Sequence, residues 1–257
     1  MKFNLRKTLL GAAASLPLLF GASGAQATPV ALELALLVDV SGSVDTNEYN
    51  LQKTGYINAF NDASIQAAIA GLTGGIAVTY VEWSSSSQQS QLVNWTHITD
   101  AASSSAFATA IGGTTRAFSG LTAPGSAINY ITPQFSQNGF EGNRWVIDVS
   151  GDGTQNDGLN TAAARDAFLA AVALGEGMTK TVNGLAIGNQ SLVNWYDANI
   201  KGGTNGFVVQ AQDFTDFDDA VKSKIGREIT GVPEPMTLAL MGIALAGIGA
   251  TSKRRKA

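Results

Sequence analysis

Asp39, Ser41 and Ser43 stand at alternate positions in the run Val38-Asp39-Val40-Ser41-Gly42-Ser43. They offer one carboxylate and two hydroxyls, all hard oxygen donors. Small divalent cations, magnesium above all, prefer such donors and keep several waters around them. Two later stretches carry the same chemistry. Gly120-Leu121-Thr122 supplies a third hydroxyl, and Ser150-Gly151-Asp152-Gly153 supplies a second carboxylate. Asp39, Ser41, Ser43, Thr122 and Asp152 can serve one ion only if three distant segments meet.

Meeting requires elements that end at a common edge. The run Ala31 to Val38 is apolar at nearly every position, as in a strand covered on both faces. Further strands are expected over Gly75 to Trp83, Arg144 to Val149, Val182 to Ile187 and Phe207 to Ala211. Gln91 to Ile98 reads as an edge strand, antiparallel to the second. Helices are expected from Asp45 or Thr46 to Asn61, from Asp100 to Ile111, from Thr122 to Phe135 with a break near Pro133, and from Thr161 to Leu174. A closing amphipathic helix runs from Asp213 to Ile229, with Phe214, Phe217, Val221 and Ile225 on one side. This alternation predicts an α/β fold, a doubly wound, mostly parallel six-stranded sheet flanked by helices. Such sheets bind ligands at the carboxyl ends of their strands. The Asp39 loop and the Asp152 loop both leave such ends.

The two termini are appendages. Lys2, Arg6 and Lys7, the apolar stretch Leu9 to Phe20 and then Ala25-Gln26-Ala27 predict a signal peptide over residues 1–27, cut after Ala27 by signal peptidase. At the other end, residues 231–257 hold Pro233-Glu234-Pro235, an uncharged run from Met236 to Ser252, and Lys253-Arg254-Arg255-Lys256. The run is a short membrane span, and the basic cluster stays on the cytoplasmic side. These three parts in this order resemble the PEP-CTERM sorting tail. The resemblance implies processing by an exosortase near Pro233-Glu234-Pro235 and a helix that holds the chain in the membrane until then. The working domain is 28–230, exported to the cell envelope or beyond.

That domain keeps 9 basic residues against 19 acidic ones. So acidic a surface argues against nucleic acid, whose phosphates need Lys and Arg, and it attracts cations. There is no cysteine, which excludes thiol catalysis, zinc–thiolate sites and disulfides. The single histidine, His97, sits on the expected edge strand without an evident carboxylate partner. No G-x-S-x-G elbow is present, so a Ser-His-Asp hydrolase has no foundation here. Asn94-Trp95-Thr96 matches a glycosylation sequon, a pattern with little meaning beside a bacterial sorting tail.

The five oxygen donors in their order resemble the ion-dependent adhesion site of the von Willebrand factor A domain. The likeness spans Leu32 to Ile229. Within that family, Ile147 to Gly153 and the closing helix are similar to a secreted bacterial subgroup of uncharacterised function. The resemblance implies that Ser41 and Ser43 ligate a divalent cation directly and that Thr122 does so directly or through water. It implies that Asp39 and Asp152 act mainly through waters. The cation would be Mg2+, with Mn2+ or Ca2+ as alternatives, and its open position would take an Asp or Glu side chain of a protein partner. This makes the chain an adhesion module rather than an enzyme. Two readings stay beside it: a structural matrix component with an unused ion site, and a metal-assisted hydrolase. The chain departs from the family pattern at Asp148, inside the strand, and at Gly151 before Asp152. Asp148 reads as a structural group on the strand.

Overall fold

The computed structural model describes residues 27–172 and 177–231. Its centre is strand β2, Leu32–Asp39, buried at every position. Even-numbered β2 side chains, Leu32 to Val38, pack with one helical layer, while Ala35 and Leu37 pack with the other. That alternation is why the run is apolar throughout: both faces of the pleat are covered.

Around it the chain forms β1 (Thr28–Val30), α1 (Thr46–Asn61), α2 (Ala63–Ala70), β3 (Ile76–Trp83), β4 (Gln89–Ile98), α3 (Ala101–Gly112) and α4 (Pro124–Ile131). A 3-10 turn, Thr132–Ser136, absorbs Pro133 and ends α4. Then come β5 (Phe140–Gly142), β6 (Arg144–Gly151), α5 (Thr161–Ala170), β7 (Thr179–Ile187), α6 (Gln190–Asn199), β8 (Gly202–Gly203), β9 (Val208–Ala211) and α7 (Phe217–Thr230). The main sheet runs β4-β3-β2-β6-β7, with β8 and β9 both along the outer side of β7. β4 and β8 are antiparallel to their neighbours, and the other pairings are parallel. Helices α1, α2, α3 and α7 cover one face, and α4, α5 and α6 the other.

The expected six-stranded sheet is therefore corrected to seven strands of mixed direction. The extra strand is the two-residue β8, too short and too glycine-rich to leave a pattern. β1 and β5 make a separate parallel pair. Two helices also escaped the sequence reading. α2 starts one residue after α1 ends, because Asp62 closes one and caps the other by accepting from Ser64 N and Ile65 N. α6 is capped by Asn189, whose side chain accepts from Ser191 N and Leu192 N. α5 ends at Ala170, short of the expected Leu174, with Ala171 already extended in ψ; Leu174 itself lies outside the described residues. The signal peptide up to Gln26, Pro233-Glu234-Pro235 and the apolar tail lie outside them as well. Among the described residues no helix is long and apolar enough to cross a membrane.

One buried ion cluster fastens α7 to the sheet. Lys224 Nζ lies 2.5 Å from Asp148 Oδ1 and 2.7 Å from Glu228 Oε1, with all three side chains fully enclosed. Asn183 Nδ2 donates to the same Glu228 oxygen at 2.9 Å. One ammonium thus faces two carboxylates. Burial, reinforced by the charge of Asp148, pushes Glu228 up to about 7. Below the normal carboxylate pKa this group is protonated folded and unfolded alike. As the pH rises from about 4.5 toward 7, the unfolded chain ionises first, so stability is lost across that window. Urea titrations should show wild type losing stability relative to Glu228→Gln between those pH values, by on the order of 3 kcal/mol. A constant difference would remove Glu228 as the titrating group. Lys224→Met should lower stability by about 3–5 kcal/mol, because it strands two buried carboxylates.

Candidate functional site

β2 and β6 are parallel neighbours at the point where the strand order reverses, β3 leaving to one side of β2 and β6 to the other. Such a switch point opens a crevice at the carboxyl ends of the strands. Asp39, the last residue of β2, and Asp152, just past β6, lie there. Ser41 and Ser43 follow on the turn out of β2. Thr122 arrives on the long connection between α3 and α4.

The side chains converge. Ser41 Oγ is 3.2 Å from Ser43 Oγ, and Thr122 Oγ1 is 3.4 Å from Ser41 Oγ. Ser43 Oγ donates to Asp152 Oδ1 at 2.7 Å, across 109 residues of sequence. Asp39 Oδ1 accepts the Ser41 amide at 2.7 Å. All five predicted residues thus belong to one constellation. Asp39, Ser41 and Thr122 are buried, whereas Ser43 is exposed and Asp152 partly so. The group has a sealed floor and an open rim.

Asp39 is the strained member in electrostatic terms. Its Oδ2 is enclosed and has no hydrogen-bond donor. Burial pushes its carboxyl up to about 7; the two Ser41 hydrogen bonds and Arg116 oppose the rise, and the charge of Asp152 adds to it. Gly151 explains the departure from the expected third loop. A Cβ there would stand 2.7 Å from Asp39 Oδ2 and 2.8 Å from Tyr196 Oη. The glycine lets β6 pass close beside the Asp39 carboxylate.

A second set of residues holds the loops, and sequence reasoning did not single most of them out. Gly42 N donates to Gly120 O at 2.7 Å, tying the first loop to the second. Arg116 Nη2 donates to the carbonyls of Val40 and Ser41, both at 2.9 Å. Glu82, buried at the end of β3, accepts from Tyr49 Oη at 2.9 Å and from Ala117 N at 2.8 Å, and burial raises its pKa. Ser84 Oγ takes the Gly120 amide and Ser85 Oγ the Leu121 amide. Asn156 grips the Thr122 peptide from both sides: its Oδ1 accepts Thr122 N at 2.8 Å and its amide donates to Thr122 O at 3.0 Å. These serines, the arginine and the asparagine look like ordinary loop residues in one dimension. Only Glu82, a charge inside an apolar strand, carried a signal.

Other polar residues fall elsewhere. Asp148 points to Lys224 on the helical layer of α7 and serves the ion cluster. His97 pairs opposite Ala77, at the other end of β3 from Trp83, and its Nε2 donates to Gly74 O at 2.8 Å. Asp157 accepts the Ser86 amide. Among the described residues no three His, Cys, Asp or Glu side chains gather to hold an ion. Any ion at this constellation would rest on hydroxyls as much as on carboxylates, and such a donor set suits Mg2+, Mn2+ or Ca2+.

Residues 29–233 match the family described as "Protein of unknown function (DUF1194)". The chain belongs to that family. Residues 231–256 match the PEP-CTERM protein-sorting motif, which marks an exported, envelope-associated protein and implies processing by an exosortase. Comparison with curated proteins gives no match. Among solved structures, the fold is similar to proximal thread matrix protein 1 from the mussel byssus, in a form described as having a zinc-occupied MIDAS motif. That likeness has a TM-score of 0.57 at 14% identity, over 80% of this chain and 50% of that one. It is also similar to the pilus adhesin SpaC from Lactobacillus rhamnosus GG, with a TM-score of 0.52 at 15% identity, over 77% of this chain and 30% of that one. The chain thus spans about half of the byssus structure and less than a third of the adhesin. These neighbours fit a von Willebrand A-like fold.

The Gly151 contact gives a direct test of the constellation. Gly151→Ala should cost about 1–3 kcal/mol, because the methyl must displace Asp39 or Tyr196. In a domain of this size that lowers Tm by roughly 2–12 °C. An unchanged melting curve would mean that β6 and Asp39 do not approach as described.

Proposed function

We propose that the domain is a von Willebrand A-type adhesion module. In this reading it is displayed or released at the cell envelope or in the extracellular matrix, where it captures an acidic side chain of a protein partner through a divalent cation. The observation that carries the reading is the convergence of three loops on one point, with the unpaired, enclosed Asp39 Oδ2 beneath them. A buried carboxylate with a free oxygen is costly unless a positive charge balances it. Ser41, Ser43 and Thr122 would hold the ion, and Asp39 and Asp152 would steady it and its waters. Hydroxyl ligation leaves most of the ion's charge uncompensated, so it supplies attraction for a carboxylate from outside.

The role is non-enzymatic in this reading. The sorting tail belongs to a surface protein, and the structural neighbours are matrix and adhesin proteins. The chain's single histidine is at the opposite end of the sheet. Mg2+ is the first expectation, because the donors are all oxygen; the zinc named for the byssus protein belongs to that protein.

Magnesium at about 10 mM should raise Tm by about 3–6 °C if the dissociation constant is near 1 mM. Asp39→Ala and Ser41→Ala should abolish the rise. Pull-down from the native envelope should recover a partner that chelator releases and Asp39→Ala fails to hold. Equal recovery with and without chelator would sink the adhesion reading. Unchanged envelope attachment of Asp39→Ala, with no ion response in wild type, would support the structural matrix component instead.

A further inference from the structure

On the outer edge of the sheet, β4 and the 3-10 turn after α4 enclose an open cleft of about 340 Å³. Gln91, Asn94, Trp95, Gln134, Gln137 and Asn138 line it. The lining holds five carboxamides and one indole, and no charged group. None of these residues takes part in the ion constellation.

The amides are unequally committed. Asn138 is used by the fold: its Nδ2 donates to Glu33 Oε2 at 2.5 Å and its Oδ1 accepts Phe140 N at 2.8 Å. Gln91 Nε2 donates to Thr79 Oγ1 at 2.7 Å, which leaves its carbonyl oxygen. The side chains of Asn94, Gln134 and Gln137 make no hydrogen bond among the described residues. Trp95 is half-buried and held edge-on against Phe135, with centroids 5.1 Å apart at 66°. Phe135 in turn packs on Trp145 and Phe168. The aromatic wall is therefore set before any ligand arrives.

This combination selects a ligand class. Each carboxamide presents two N–H donors and a carbonyl acceptor in one plane. Neighbouring hydroxyls of a sugar ring donate and accept side by side, so they match amides laid along a wall. The apolar C–H face of a sugar packs on an aromatic ring, as other apolar groups do. A charged ligand would find no countercharge in the cleft, and the domain's excess of 19 acidic over 9 basic residues repels polyanions. The volume lies at the small end of ligand pockets. We infer that this cleft binds a short stretch of a neutral polysaccharide, independently of the ion site.

Saturation-transfer NMR on the folded domain with maltotriose, cellotriose and mannotriose tests the assignment. Transfer to at least one of them is expected, with a dissociation constant near 1 mM. The double variant Gln134→Ala/Gln137→Ala, which removes partly exposed amides outside the core, should weaken that binding about tenfold. Trp95→Phe keeps an aromatic wall and should weaken it less. Chelator and Asp39→Ala should leave it unchanged. No transfer to any of the three sugars, equal binding by the double variant, or loss on chelation would each overturn the assignment. So would tighter binding of trigalacturonic acid, which would reverse the choice of a neutral ligand.

Discussion

A carboxylate at the end of a central parallel strand sits between two neighbouring strands and under the loops that leave them. Asp39 is in that position, with β3 on one side and β6 on the other. It is fully buried, and only one of its oxygens is bonded. The surrounding structure accommodates that one group. Gly151 omits a side chain so that β6 can pass, the Ser41 amide turns back to it, and Arg116 holds the carbonyls of Val40 and Ser41. The two serines and Thr122 are then drawn over the crevice.

Asp39 stands apart from the other carboxylates buried in the same sheet. Glu33 is met by the Trp145 indole, the Gly142 amide and the Asn138 carboxamide. Glu82 is met by a tyrosine hydroxyl and a backbone amide. Asp148 has an ammonium in contact. Glu33 and Glu82 are answered at both oxygens, and Asp148 by the Lys224 charge although its Oδ2 has no donor. Of the four, Asp39 has neither a set of donors for both oxygens nor a cation in contact, and it lies where the loops open outward. The contrast sets Asp39 apart from the carboxylates that are bonded or ion-paired within the sheet.

Most of the architecture was legible in the chain. β2, β3, β4, β6, β7 and β9 all lie where apolar runs and turn signals put them. The antiparallel edge placement of β4 was legible too. The misses have physical causes. β8 is two glycines whose pairing comes from neighbouring backbone rather than from side-chain pattern. α2 was hidden because Asp62 ends one helix and starts another without an intervening turn. α4 begins at Pro124 rather than at Thr122, because Asn156 bonds both the N–H and the carbonyl of Thr122 and Ser84 O takes the Ala123 amide.

The five converging residues could be read from their types and their places after strands, because sheet topology restricts where such loops emerge. The sequence alone therefore determined the oxygen character of the site, the exported context and the α/β frame. Only the tertiary structure decided that Ser43 reaches Asp152, that Asp148 belongs to Lys224 instead of the Ser41 constellation, and that Gly151 clears a path for Asp39. It also decided that Ser84, Ser85, Arg116 and Asn156 hold the loops in register. Those roles depend on angles and distances between residues far apart in the chain. Side-chain identity sets what bond can form, but packing of the two helical layers on the sheet sets which partner is within reach.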